Sequence, residues 1–403
     1  MTKSSTSHRG VAGHGRAVAA VVTLVLVLLV AGARPAHAVP IDEGLVEEEV
    51  SAAGAVLWDP LDQRVLWERQ AGEPRRIASL TKIMTALLAL EAGAIDDTVT
   101  VSATANAADD RPGAATLGLR TGERMPMRSL LAGLLLRSGN DAAVAIAEHV
   151  AGTEKAFVAR MNARAGELDL GATHFVNASG LTNDADQRAS PLDLIRLTQR
   201  AMRFDVFAEL VGTATLDDER LGRLHSRNLL LDSYEGATGV KTGYTALAGR
   251  CLVATARRHG RTLYAVVLNS ADSFADTAAL LDYGFDAFTI VNLAAHGPDV
   301  YRTADGVVEL QAPDAPAHTV AVDARVDVRV RLNPTPPADV AKGTMLGTME
   351  LISDGRRIDA APIVARTALD REDPVTPDAA AGGAIEDAAR AFARATPQSR
   401  PAL

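Results

Sequence analysis

Short runs that alternate apolar and polar residues bracket a long block with a helical apolar repeat, and the pattern changes again near residue 292. Within 55–68, Val56-Leu57-Trp58 and Val65-Leu66-Trp67 flank Asp59-Pro60-Leu61-Asp62-Gln63. Two β-forming runs around a polar, proline-containing turn predict an antiparallel hairpin. A second hairpin is predicted from 251–256 and 262–268 about Arg257-Arg258-His259-Gly260. Between the two, the segments 80–92, 127–136, 142–150, 156–168 and 191–203 are rich in good helix formers, and 275–288 reads as one more helix. Strands at both ends of a helical block imply an α+β fold, one antiparallel sheet flanked by helices. Beyond 292, the runs 307–310, 319–322, 326–332 and about 345–352 are short, alternating and separated by Pro, Asp or Gly, as in a small all-β module.

The ends of the chain add a destination. Lys3, Arg9 and Arg16 precede an apolar run from Ala17 to Ala33, and Ala36-His37-Ala38 offers a small-residue cleavage pattern. This layout is that of a secretory signal peptide cut after Ala38. An uncleaved anchor is the other reading, since the run reaches the lower length for a membrane span. Either way the rest of the chain is expected outside the cytoplasm, in the cell wall or associated with the membrane. The expected organisation is a signal peptide over 1–38, a lead-in over 39–52, a catalytic domain over 53–291, a small all-β domain over 292–369 and an Ala/Pro-rich disordered tail over 370–403. In that tail Ile385, Ala389 and Phe392 share a helical face, so peripheral contact with the outer face of the membrane is an alternative to a frayed end.

Composition removes several function classes. The net charge of −9 gives no basic face for nucleic acid. Cys251, the single cysteine, excludes an intramolecular disulfide and reads as a buried strand residue. His149, His174, His225 and His259 have no ligand spacing, so no metal site is expected, and nothing suggests a cofactor.

Three short motifs carry the candidate chemistry. Ser79-Leu80-Thr81-Lys82 opens the first helix, Ser138-Gly139-Asn140 precedes another, and Lys241-Thr242-Gly243 enters the second hairpin. Residues i and i+3 share a helix face, so Lys82 can reach the Ser79 hydroxyl. A lysine activates a serine only when desolvation or a neighbouring cation lowers its pKa. Met84, Leu87 and Leu88 would bury its stem, and Lys241 would supply the second cation. Taken singly, Ser79 reads as a helix cap, Lys82 as a surface charge and Ser138-Gly139-Asn140 as a capping turn. Read together, Ser138 could pass a proton, Asn140 hold a substrate amide, and Lys241 with Thr242 bind a carboxylate on an edge strand, with Gly243 permitting close approach.

S-x-x-K, S-x-N and K-T-G in this order resemble the signature of penicillin-binding proteins and serine β-lactamases. The stretches around 138–143, 157–162, 175–181 and 239–245 are similar to those of the low-molecular-mass serine D-alanyl-D-alanine carboxypeptidases, and the resemblance runs over about 53–287. It implies a penicillin-binding, β-lactamase-like transpeptidase fold, peptidoglycan stem peptides as substrate and β-lactams as covalent inhibitors. By the same resemblance Ser79 is the nucleophile, Lys82 the acylation base, and Ser138 with Lys241 a proton relay. Asn140 holds the peptide amide, Thr242 binds the terminal carboxylate, the N–H groups of Ser79 and Tyr244 form the oxyanion hole, and Arg227 assists carboxylate recognition. Ala237-Thr238-Gly239 departs from the acidic Asp-Gly usual in the family. A D,D-endopeptidase and a non-catalytic wall- or penicillin-binding module stay open as alternatives. A β-lactamase is disfavoured, because Gly171–Asn177 lacks the glutamate that would activate a deacylating water.

Overall fold

The computed structural model describes residues 24–26, 48–108, 114–303, 306–333 and 340–369. The signal-peptide reading of 1–38, apart from 24–26, and the tail from 370 lie outside these residues. Among the described residues no helix is long and apolar enough to cross a membrane.

The described residues divide into two compact units, one within 48–291 with 317–324 and the other within 292–316 and 325–369 together with 24–26. The first is built on a five-stranded antiparallel sheet. Its strands are β1 (Gly54–Asp59), β2 (Arg64–Arg69), β3 (Ala237–Thr245), β4 (Gly249–Arg258) and β5 (Arg261–Ser270), in the order β3-β4-β5-β1-β2. The β4–β5 turn contracts to His259-Gly260, both at positive φ (50° and 79°), as the tight primed hairpin turns require. The sheet is covered on both faces, because strand alternation sends Val56, Val253, Val266 and Leu268 to one core and Leu57, Leu252, Leu263 and Val267 to another.

The first core holds the helices. α1 (Lys82–Glu91) is buried over most of its length and packs against α3 (Asn140–Ala151) and α5 (Pro191–Ala201). Around them lie α2 (Met127–Ala132), α4 (Glu154–Glu167) and α6 (Asp205–Val211). The opposite core is closed by α7 (Ser273–Ala287) through Leu280, Leu281 and Tyr283. The reading of 127–136 as one helix needs amendment: the α-helical turns stop at Ala132, and Gly133–Arg137 widens into a π-turn that delivers Ser138 at φ 66°. The hairpin and helix positions otherwise follow the hydrophobic pattern.

The second unit is an antiparallel sheet of β6 (Val300–Thr303), β7 (Gly306–Gln311), β8 (Val326–Leu332), β9 (Met345–Ser353) and β10 (Arg356–Ala365), in the order β8-β9-β10-β7-β6, with Leu24–Leu26 paired to the outer edge of β8. Val308, Val328, Leu346, Met349, Leu351 and Ile363 alternate inward to form its core. The run at 319–322, read from the pattern as a strand of this module, groups instead with the first unit. Ala317–Ala321 pairs with Phe288–Asn292. Polar contacts explain why: the Thr319 hydroxyl donates to Asp59 Oδ2 (2.6 Å), its N–H donates to Asp62 Oδ2 (2.7 Å), and His318 Nδ1 lies 3.0 Å from Asp62 Oδ1.

Candidate active site

A cleft of about 330 Å³ opens where β3, the edge strand of the first sheet, faces the start of α1 and the turn before α3. Ser79, Ser138, Asn140, Arg227, Thr242 and Gly243 line it, with Tyr244 at its rim. Thus residues scattered over 165 positions of sequence meet in one depression, with Lys82 and Lys241 buried beside it at 0% and 1% exposure.

Ser79 sits in the 3-10 turn Ala78–Thr81 that leads into α1, and its hydroxyl caps neither element. It is half-buried, and Lys82 Nζ lies 3.0 Å from its Oγ. The same amine donates to Asn140 Oδ1 (2.8 Å) and to the carbonyl of Ser179 (2.7 Å). Asn140 does not cap α3 either; the cap position is Gly139, without a side-chain bond. Ser138 Oγ is buried and makes no hydrogen bond among the described residues. The cap readings, reasonable for each motif alone, therefore give way to side chains turned toward one point.

Two glycines make this density achievable. A Cβ on Gly180, at φ 80°, would lie 1.9 Å from the Ala78 carbonyl oxygen, and one on Gly243 would lie 2.9 Å from that of Ile77. The 177–180 loop and β3 thus press on the Ser79 turn from two sides where no side chain would fit. Asn177 Oδ1 steadies the loop by accepting the N–H groups of Ser179 (3.2 Å) and Gly180 (2.7 Å). Asp141 steadies the opposite rim, its carboxylate accepting from the N–H groups of Leu117 (3.0 Å) and Leu119 (3.1 Å) and the Thr116 hydroxyl (3.1 Å). Sequence reasoning did not find the Ser179 carbonyl or the Asp141 role, since a backbone acceptor carries no residue signature and an Asp after Asn140 reads as a helix-start acid.

The electrostatics are one-sided. Lys241 is pushed down to about 7, first by burial and then by the Arg227 guanidinium. Its amine donates to the Thr242 carbonyl (2.9 Å). Arg227 is itself lowered by burial and by Arg137, whose neighbour Leu136 accepts the Arg227 backbone N–H (3.1 Å). Among the described residues that line the cleft none is acidic. Cys251 reaches the cleft floor but is fully buried, and burial pushes its thiol up to about 11, which leaves it a poor nucleophile. Among the described residues no group of three or more His, Cys, Asp or Glu could hold a metal ion.

Comparison with known proteins identifies the family. Residues 42–272 match the family model described as D-alanyl-D-alanine carboxypeptidase, peptidase S11. The chain is 30% identical over 335 residues to the D-alanyl-D-alanine carboxypeptidase DacF of Bacillus subtilis, covering 78% of this chain and 85% of that one. It is 34% identical over 265 residues to DacB2 of Mycobacterium tuberculosis, covering 63% and 87%. Among solved structures it is similar to penicillin binding protein 6B from Escherichia coli (TM-score 0.61, 30% identity, 78% of this chain and 95% of that one). It is also similar to the Streptomyces K15 DD-transpeptidase (TM-score 0.55, 32% identity, 59% and 97%). With more than half its length inside the family match, and a serine and an asparagine lining the cleft with two lysines buried beside it, this chain belongs to the serine D-alanyl-D-alanine carboxypeptidases of the S11 family.

Proposed function

We propose that the cleft removes the terminal D-alanine of peptidoglycan stem peptides through an acyl-enzyme on Ser79. The observation that carries the assignment of roles is the set of contacts around Lys82. Asn140 Oδ1 and the Ser179 carbonyl only accept, so they take two N–H bonds, and the remaining tetrahedral position of Nζ faces Ser79 Oγ. In the neutral amine that position is the lone pair, aimed at the hydroxyl proton it has to remove.

Ser79 Oγ attacks the carbonyl carbon of the penultimate D-alanine while Lys82 takes its proton. The oxyanion is received by the N–H groups of Ser79 and Tyr244. Collapse breaks the C–N bond, and Ser138 with Lys241 delivers a proton to the departing amine. Thr242 and Arg227 bind its carboxylate, and Asn140 holds the peptide amide on the acyl side. Water then forms a bond to the acyl carbon as the ester C–O bond breaks, its proton goes to Ser79 Oγ, and the proton held by Lys82 passes to the Ser138–Lys241 relay, which restores the starting state. Penicillin enters the same way and leaves slowly. Glu154 does approach the 177–180 loop, accepting the Ala178 N–H (3.0 Å), but it is not among the cleft-lining residues, in keeping with slow rather than lactamase-like deacylation. The substrate places the reaction outside the cytoplasm, at the cell wall.

Labelled penicillin tests this directly. The full chain should acquire one covalent label on the peptide carrying Ser79, and it should release D-alanine from a pentapeptide. Ser79→Ala should abolish both at an unchanged melting temperature; label persisting in that variant would show the nucleophile to be a different residue. Parallel assay of a cross-linked dimer separates carboxypeptidase from endopeptidase action.

A further inference from the structure

The cleft continues past Tyr244, and its far end carries a cation that the reaction above does not use. We propose that Arg250 is a specificity-determining residue that selects substrates whose residue on the acyl side of the scissile bond, the one before the penultimate D-alanine, bears a free side-chain carboxylate. The proposal rests on the carboxypeptidase reading and names the substrate class of that same site.

Direction along β3 fixes which part of a substrate reaches this end. With the terminal carboxylate at Thr242 and the scissile carbonyl at the N–H of Tyr244, an extended peptide laid along the edge strand runs from leaving group to acyl group as the numbers rise. Arg250, on β4, is the register partner of Tyr244, so the two side chains leave the same face of the sheet. Both line the cleft, together with Thr245, Ser273 and Phe274. One residue beyond the penultimate alanine lies about 3.4 Å further along an extended chain, and its side chain projects within reach of a guanidinium placed there.

The state of the guanidinium supports a ligand role. Nη1 donates to the Ala271 carbonyl (2.9 Å), which pins the group in place, and its other N–H groups have no acceptor among the described residues. Asp272, next in the chain, is directed elsewhere: its Oδ1 accepts the N–H groups of Phe274 (3.1 Å) and Ala275 (3.3 Å) at the start of α7. Across the chain the charge is −9, yet among the described residues the lining of this cleft contains Arg227 and Arg250 and no acid. A fixed planar fork with free donors at an acid-free cleft end matches a carboxylate better than an amide or an amine. Phe274 provides an apolar wall for the methylene stem of such a side chain.

The test uses two acyl tripeptides ending in D-Ala-D-Ala that differ in one group: the preceding residue carries either a side-chain carboxylate or its carboxamide. D-alanine release gives kcat/KM for each with the full chain, Arg250→Gln and Arg250→Lys. The wild-type chain should favour the carboxylate by about tenfold at low salt, less at high salt, as expected for a charge-assisted pair in a partly open cleft. Arg250→Gln should bring the ratio close to one, and Arg250→Lys should retain part of it. Equal use of both peptides by the wild-type chain would overturn the proposal, as would a ratio that survives Arg250→Gln. Penicillin labelling of the wild-type chain is run alongside: label without carboxylate preference defeats the Arg250 assignment alone, whereas absence of label defeats the reaction itself.

Discussion

Two regions of the first unit bury basic side chains almost completely, and they treat them in opposite ways. At the base of β5, Arg261 (6% exposed) meets Asp59 (0%) at 2.9 Å and donates also to the carbonyls of Gly284 (2.7 Å) and Phe288 (3.0 Å), while Thr319 satisfies the same carboxylate. At the cleft, Lys241 is as deeply buried, bonds one carbonyl, and has another cation as its charged neighbour. Burial with a counter-charge holds a structure together; burial against a like charge drives a proton off. The first arrangement gives a group fixed in its charge, the second a group able to exchange a proton near neutral pH.

The largest expected effect lies on the catalytic side. Lys241→Arg keeps the positive charge and cannot release it, so penicillin acylation should fall by about 10²- to 10⁴-fold, the range for losing a proton-transfer group. Thermal unfolding should show the fold intact, and an acylation rate within a few-fold of wild type would remove Lys241 from the relay. On the other side, Asp59→Ala strands the Arg261 charge and should cost roughly 3–5 kcal/mol in denaturant unfolding, as breaking a buried pair does. Label incorporated per folded molecule should stay unchanged; a stability change under about 1 kcal/mol would mean that the pair is not what holds this corner.

The smallest effect is in pH. With Lys241 near 7 and acting as proton donor, acylation should decline by about tenfold per unit above that pH, where the amine has lost its proton. Arg227→Gln removes a repulsive neighbour and should move the limb to higher pH, whatever it does to the plateau. Stability runs the other way: the folded pKa is depressed, so between about 7 and 10.5 the unfolded chain holds the extra proton and stability rises with pH, the penalty being complete below 7. Lys241→Met should therefore gain most over wild type under acidic conditions. A limb that does not move in Arg227→Gln would show that burial alone sets the value.

Much of the fold was legible because its elements are locally consistent. The two hairpins have β-forming runs with turn residues between them, and each helix carries its own formers. The site was legible in a different way: Ser79, Lys82, Ser138, Asn140, Lys241 and Thr242 are ordinary residues singly and informative only as an ordered set. What stayed hidden depends on neighbours distant in sequence. The Ser179 carbonyl is a backbone atom, Gly180 is dictated by a carbonyl 102 positions earlier, and Arg250 has meaning only through its pairing with Tyr244. The run at 319–322 groups with the first unit for the same reason: its partners Asp59 and Asp62 carry, in the sequence, only the signature of turn residues in the first hairpin.

That last attachment bears on how the protein can be shortened. A chain ended at Val291, where the first long continuous unit stops, would discard the Thr319 hydroxyl that Asp59 accepts beside Arg261, and the Thr319 amide and His318 ring that hold Asp62. Carrying the sequence on to Ala324 keeps the clasp, so the minimal portion worth producing is longer than the catalytic motifs alone suggest.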